Sequence, residues 1–346
     1  MRGLLAFIIC LLTIQTKAQF NWKEATQLPV ADGLAGAYAG VSNGALIIAG
    51  GTNFPGNKRP WDGGVKTWYD TIWVLEKENG KWKQAGRLPR PLGYGVALSS
   101  KKGLVCLGGG DAKMNYADAF IISYKKGKVT ITALPPMPGP VINACGVLIN
   151  ETIYIAGGIA SPTGRATQQC WSLDLNAPAQ QWKVLEPLPG LPRMLAIAGT
   201  EKGKFYVFGG VYLDSALQRK YLKDSWVYQP GTGWKQIADL PAVLAAAPTP
   251  AYNDGQADLL LFGGDDGANA ARVTELKDAH PGFNREVLRY NTVKDTWSVA
   301  GDVKAENVYA PVTTPLVIWN NKVVLPVGEA RPAVRSRKVL IGVQKK

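Results

Sequence analysis

The chain of 346 residues contains one histidine, His280, so a multi-histidine metal site is excluded and a histidine-based triad has almost no basis. His280 stands beside Pro281-Gly282 in a long loop and reads as a solvent-facing residue, which leaves carboxylate, arginine, lysine and tyrosine to carry any chemistry. Cysteine is nearly as scarce. Cys10 falls in an N-terminal apolar run, and Cys106, Cys145 and Cys170 fall in apolar strand segments. Three thiols in an exported chain permit at most one bridge, and their positions suit buried packing better than a disulfide framework or a metal site. Acidic residues are in the minority, 26 against 39 basic, for a formal charge of +13. The basic residues are scattered through turns such as Lys101-Lys102 and Lys125-Lys126, without a basic helix or a stacking platform, so nucleic acid is not the expected partner. Attraction of a small anion to an electropositive pocket is compatible with the excess. No apolar run is long enough to span a bilayer. The longest, Leu4 to Ile14, follows Arg2 and precedes Thr16-Lys17-Ala18, which reads as a secretory signal over residues 1–18 with a periplasmic or secreted product. Cys10 lies inside that run, which argues against lipoprotein cleavage.

What the chain does have is a repeat. Glycine doublets occur at Gly50-Gly51, Gly108-Gly109, Gly157-Gly158, Gly209-Gly210 and Gly263-Gly264, with a degenerate copy at Val327-Gly328, spaced by 58, 49, 52, 54 and 64 residues. Each closes a short run rich in β-branched or aromatic residues: Ala45–Ala49, 104–107, Thr152–Ala156, 204–208, 259–262 and Lys322–Pro326. These runs read as inner strands, with glycine where the backbone turns sharply. A tryptophan is followed six residues later by Leu-Pro at Trp22, Trp82, Trp182 and Trp234. The register persists in two eroded copies, Trp297 to Val303 and Lys128 to Leu134. Repeats of about 50 residues built from four short strands predict an all-β, six-bladed kelch-type β-propeller, and six copies in one register argue against a β-sandwich. The last repeat lacks a tryptophan strand and the chain opens with an orphan one, 20–28. That strand is expected to complete the sixth blade and remove the exposed edges, so residues 19–346 form a single domain.

Loops joining the second and third strands of each blade should emerge on one face with the inter-blade loops, at 51–70, 110–118, 159–167, 211–224, 265–286 and 329–336. Two of them are long enough to act as lids, and that face is the expected site. The shortest is the most informative. Gly328-Glu329-Ala330-Arg331-Pro332-Ala333-Val334-Arg335 places an acid at the mouth of an inner strand and an arginine six residues later at the other foot of a tight loop. The carboxylate can move a proton and the guanidinium can grip an anionic substrate. The same spacing suits a salt bridge within the loop, and spacing alone leaves both open.

These residues carry a resemblance. Gly328-Glu329-Ala330-Arg331-Pro332 with Arg335, the opening Asn21-Trp22-Lys23 through Gly33-Leu34-Ala35-Gly36, the segment Leu46 to Gly51 with Phe54 and Gly56, and Pro192-Arg193 before Phe205 to Gly210 make the chain similar to the kelch-like sialic acid mutarotases, or N-acetylneuraminate epimerases. The order of the pieces resembles a cyclically permuted branch. The resemblance implies interconversion of the α and β anomers of free sialic acid by acid-base opening and closing of the ring, with no metal or redox cofactor. It also implies Glu329 as the proton-transfer residue, Arg335 as carboxylate holder or charge stabiliser, and Arg193 as a second clamp. Asn53, Lys66, Tyr94 and Tyr309 are candidate substrate-binding residues, and Asp111 and Asp265 are weaker ones, for which turn capping is the competing explanation. A non-catalytic kelch module binding a glycan or protein, and a mutarotase of another acidic sugar, are the rival readings.

Overall fold

The structure is a computed structural model and describes residues 20–304 and 310–345. The signal segment and Tyr309 lie outside the described residues. Six four-stranded antiparallel sheets are arranged as the blades of a propeller. Blade 1 comprises Tyr38–Ser42, Ala45–Ala49, Thr71–Leu75 and Lys83–Arg87. Blade 2 comprises Val96–Ser100, Gly103–Leu107, Ala119–Lys125 and Lys128–Ala133. Blade 3 comprises Cys145–Ile149, Thr152–Ala156, Cys170–Asp174 and Lys183–Val184. Blade 4 comprises Ile197–Glu201, Lys204–Leu213, Arg219–Gln229 and Gly233–Ile237, and blade 5 comprises Tyr252–Asn253, Asp258–Gly264, Asn284–Asn291 and Thr296–Asp302. Blade 6 is built from Val317–Trp319, Lys322–Pro326 and Val339–Gln344, with Phe20–Glu24 as its outer strand. Phe20 pairs with Gln344 and Glu24 with Leu340, so the orphan strand closes the ring as expected.

The tryptophan register has a physical cause. The indole N–H of Trp82 donates to Thr26 O, that of Trp182 to Pro135 O, that of Trp234 to Glu186 O and that of Trp297 to Ala238 O, at 2.8 to 3.0 Å. Each tryptophan therefore reaches the Leu-Pro segment of the preceding blade. The leucines of those segments, Leu28, Leu88, Leu134, Leu188 and Leu240, and Val303 in the eroded copy, are buried between sheets. One residue type staples neighbouring blades and the other fills the seam.

A second set of contacts closes the centre. Gly36, Tyr94, Asn143, Leu195, Ala246 and Thr313 precede the innermost strands of blades 1 to 6, and all six have positive φ, between 52° and 64°. The N–H of each donates to the carbonyl of its counterpart one blade earlier, Tyr94 to Gly36, Asn143 to Tyr94, Leu195 to Asn143, Ala246 to Leu195, Thr313 to Ala246 and Gly36 to Thr313, at 2.7 to 2.9 Å. The result is a closed belt of six hydrogen bonds around the channel. Five of its six members are not glycine, so they hold a left-handed conformation that costs an L-residue about 1–2 kcal/mol.

The glycine doublets follow the same logic. The first glycine has φ between 54° and 68° in the five intact copies, and Val327 takes 56° in the sixth. A β-branched residue there is strained, and the strain sits at the root of the Glu329 loop.

Two expectations are corrected. The anticipated loop at 211–224 is largely strand, because Val211 pairs with Tyr221 and Leu213 with Arg219, leaving only a turn at the tip of a long ribbon. In blade 6 the apolar run from Val312 to Ile318, which reads as an innermost strand, is strand only over Val317–Trp319, because Val312 and Thr313 are used by a bridge and by the belt. Cys106, Cys145 and Cys170 are buried free thiols, and burial pushes that of Cys145 up to about 12. No described helix is long and apolar enough to cross a membrane.

Trp22 of the closing strand packs edge-on against Phe262 of blade 5 at 5.5 Å and over Gly342. Trp22→Ala is expected to cost about 2 kcal/mol, part of what a fully buried tryptophan loses on truncation. Urea unfolding should show a lower midpoint at unchanged slope, and light scattering should show earlier aggregation on heating as the blade 6 edge frays.

Candidate active site

One residue beyond each doublet, the chain bridges back to the residue that precedes a belt member. The pairs are Thr52 with Ala35, Gly110 with Gly93, Ile159 with Ile142, Val211 with Met194, Asp265 with Ala245 and Glu329 with Val312. These six positions are equivalent around the ring. Two adjacent blades, 5 and 6, carry acids there.

Above the belt lies a cavity of about 610 Å³ whose lining includes Lys66, Trp68, Tyr94, Asp111, Asn143, Arg219, Tyr221, Asp265, His280, Phe283, Glu329 and Arg335. Below it the channel narrows to about 60 Å³ between small residues such as Gly95, Ala97, Gly146 and Ala247. The cavity is therefore a bowl with a nearly filled floor, of a size for a small ligand.

Glu329 and Arg335 face each other across the tight hairpin of Glu329–Arg331 and Val334–Arg335. Glu329 Oε1 accepts from Ala333 N at 2.7 Å and lies 2.5 Å from an Arg335 terminal nitrogen. The loop salt bridge that the spacing allowed is thus formed, and it is formed in the wall of the cavity. The Arg335 side chain is only 4% exposed, against 17% for Glu329. The contact is close but poorly aligned for a hydrogen bond, and Arg335 Nε is likewise a buried donor without a hydrogen-bond acceptor among the described residues. Burial opposes the charge on Arg335, yet Glu329 and Tyr94 together outweigh it and hold the guanidinium pKa above its usual range. A second Arg335 terminal nitrogen lies 3.4 Å from the Tyr94 hydroxyl, which is 3.0 Å from Thr52 Oγ1. Lys66 stands 5.1 Å from the Tyr94 ring centre and 5.7 Å from that of Trp68, and the Phe54 ring lies 5.2 Å from the Arg335 guanidinium. The arrangement places a carboxylate, a phenol and two cations along one side of the bowl. It can move a proton and hold an anion.

Comparison with known proteins accords with this architecture. The family model described as N-acetylneuraminate epimerase matches residues 3–131. An N-acetylneuraminate epimerase of Salmonella enteritidis is 37% identical over 109 residues, covering 28% of this chain and 28% of that protein. One of Haemophilus influenzae is 36% identical over 125 residues, covering 32% and 33%. Over these stretches the chain is similar to N-acetylneuraminate epimerases. The matched stretches span less than a third, or about a third, of the curated relatives. Within the family match lie Lys66, Trp68, Tyr94 and Asp111, whereas the Glu329 hairpin lies beyond it. The solved structure of YjhT superposes with a TM-score of 0.67 at 14% identity, covering 93% of this chain and 99% of that one, which establishes the shared fold over the whole ring.

Not every candidate of the epimerase-like reading reaches the cavity. Arg193 is fully buried. Its two terminal nitrogens bond the Asp224 carboxylate at 3.0 and 2.6 Å, and one also donates to Gly209 O. It is a blade-to-blade tie, not a substrate clamp. Asn53 is also buried, donating to Gly33 O and accepting from the Tyr69 hydroxyl, and it positions the blade 1 loop. Asp111 lines the bowl but caps the turn at Lys113 and Met114 and accepts from Tyr116, so its capping role is realised. His280 is buried at the cavity wall rather than solvent-facing, because the short helical turns over 270–279 fold the blade 5 loop back onto the bowl. Arg219, Tyr221, Asn143 and Phe283 were not singled out from the sequence. The signal available for Asn143 was its place two residues after Val141, matching Tyr94 after Leu92. Arg219 and Tyr221 were hidden because their segment was read as loop.

The Arg193–Asp224 tie makes a distinguishing prediction. Burial works against the Asp224 carboxylate, but Arg193 and Trp226 hold its pKa below the ordinary range. Its stabilisation is therefore complete above the unfolded value of about 3.9 and is lost as pH falls through the lower folded value. Asp224→Ala, which strands a buried guanidinium, is expected to cost about 3 kcal/mol at pH 7 in urea unfolding, and the deficit should shrink toward pH 3.

Proposed function

We propose that the protein is a mutarotase that interconverts the α and β anomers of N-acetylneuraminate, acting as an exported enzyme. The observation that carries the reading is the Glu329–Arg335–Tyr94 cluster in the wall of a bowl with a nearly filled floor, with Lys66 beside it. Epimerase-named relatives support an isomerase at the family level. The same relatives favour sialic acid over another acidic sugar.

The chemistry follows from the groups at hand. Glu329 Oε1 is occupied by Ala333 N and Arg335, which leaves Oε2 to accept the anomeric hydroxyl proton. As that proton leaves, the bond from the anomeric carbon to the ring oxygen breaks, and its electron pair stays on the ring oxygen. The ring oxygen takes a proton from solvent water in the bowl. The open-chain ketone turns its other face, and closure reverses both transfers. Arg335 and Lys66 hold the sugar carboxylate and stabilise charge developing on oxygen. Arg335 is kept cationic in a buried wall by Glu329, so the pair serves the anion and the proton together.

The test is the relaxation of freshly released α-anomer followed by proton NMR. Wild type is expected to accelerate it over buffer. Glu329→Gln should reduce kcat by about 10² to 10⁴ while leaving the fold intact, the range for removing one general acid-base group. No acceleration by wild type overturns the assignment, and full activity of Glu329→Gln overturns the base.

A further inference from the structure

We infer that Asp265 is the specificity-determining receptor for the hydroxylated side arm of the sugar acid, one blade away from the reacting bond. The inference rests on the acidic-sugar reading above and adds the orientation of the substrate in the bowl.

Asp265 and Glu329 hold the same register on adjacent blades, each bridging to the residue before a belt member, and both line the one cavity. Their partners differ. Glu329 is ion-paired, whereas Asp265 makes neutral hydrogen bonds: Oδ1 accepts from Gly267 N at 3.0 Å and Oδ2 from the Tyr221 hydroxyl at 2.6 Å. A carboxylate offers about four acceptor positions, so this fixed group retains capacity for two more donors. The cavity that Asp265 lines is where a ligand can supply them. Next to it, His280 Nδ1 accepts from Gly282 N at 3.1 Å, which puts the proton of the neutral ring on Nε2. Burial is the main force holding the His280 pKa below its usual range, so the imidazole is neutral at pH 7. The Phe283 ring lies 6.0 Å from that imidazole. Rigid acceptors beside a neutral N–H donor and an aromatic face suit a chain of hydroxyls, with Arg219, which faces the Tyr221 hydroxyl in the same cavity, as a further donor.

The covalent structure of the sugar then fixes the direction. In a cyclic 2-keto sugar acid the carboxylate hangs from the anomeric carbon. The hydroxylated arm hangs from the carbon on the far side of the ring oxygen. With the anomeric carbon at Glu329 and the carboxylate toward Lys66 and Arg335 on the blade 1 side, the arm extends to the blade 5 side, where Asp265 stands. Glu329 and Asp265, equivalent in the ring, thus divide the work: one moves the proton and the other reads the arm.

The experiment compares N-acetylneuraminate with the analogue shortened by two carbons through periodate cleavage and reduction, using anomer exchange by NMR for both. A hydrogen bond to a charged group contributes about 1.5–3 kcal/mol, or roughly 10- to 100-fold. Wild type is expected to prefer the full-length sugar by that factor in kcat/KM. Asp265→Asn should lose that factor on the full-length sugar, mainly through KM, and should treat the two sugars within about 3-fold. A general structural role would lower both sugars equally and leave the preference standing, which overturns the inference. A wild type that does not discriminate overturns it without any variant. A wild type that accelerates neither sugar overturns the acidic-sugar reading, and the inference with it.

Discussion

The closed belt of backbone hydrogen bonds through Gly36, Tyr94, Asn143, Leu195, Ala246 and Thr313 is the constraint on which the rest of the ring depends. Each blade must deliver one residue in a left-handed conformation to the same radius, or the circle cannot close. Five of these residues line the bowl, and three of them, Tyr94, Asn143 and Thr313, bring polar groups to its floor. A single set of contacts fixes the blade spacing, narrows the channel below and furnishes the site above. Outward from the belt, the tryptophan staples and buried leucines hold neighbouring sheets together, and the closing strand converts two chain ends into one blade. The cooperative ring can support strained residues at its centre because so many contacts over-determine them.

Strain and function coincide at one place. Val327 keeps the left-handed φ of the glycine it replaces, and the next residue but one is Glu329. The Glu329–Arg335 ion pair is short, oblique and enclosed, with part of the guanidinium lacking an acceptor among the described residues. A buried cation in that condition gains from an anionic ligand, which supplies the missing acceptor.

Much of the architecture was legible because a repeat exposes its own exceptions. The glycine doublets gave six inner strands, with Ala45–Ala49, Thr152–Ala156 and Lys322–Pro326 at their observed bounds. The orphan tryptophan strand gave the closure. The Glu329…Arg335 spacing gave a pair that does meet, and Lys66 and Tyr94 also reach the cavity. Arg193 and Asn53 misled because a polar residue in an inter-blade loop has the same local sequence whether it faces ligand or backbone. Arg193 is decided by Asp224, 31 residues away, and Asn53 by Gly33 and Tyr69. The 211–224 segment misled because its polar ribbon tip looks like a loop, although Val211 and Tyr221 pair across it.

By itself the sequence determined the number of blades, the register of their strands and the identity of an acid and an arginine at the two feet of one loop. These are local quantities, set by periodicity and by which residues tolerate a sharp backbone turn. The tertiary structure alone decided which polar side chains share a cavity, that Asp265 stands in the register of Glu329 and that His280 is drawn into the wall. Those relations join residues of different blades, and their distances exist only once the ring has closed.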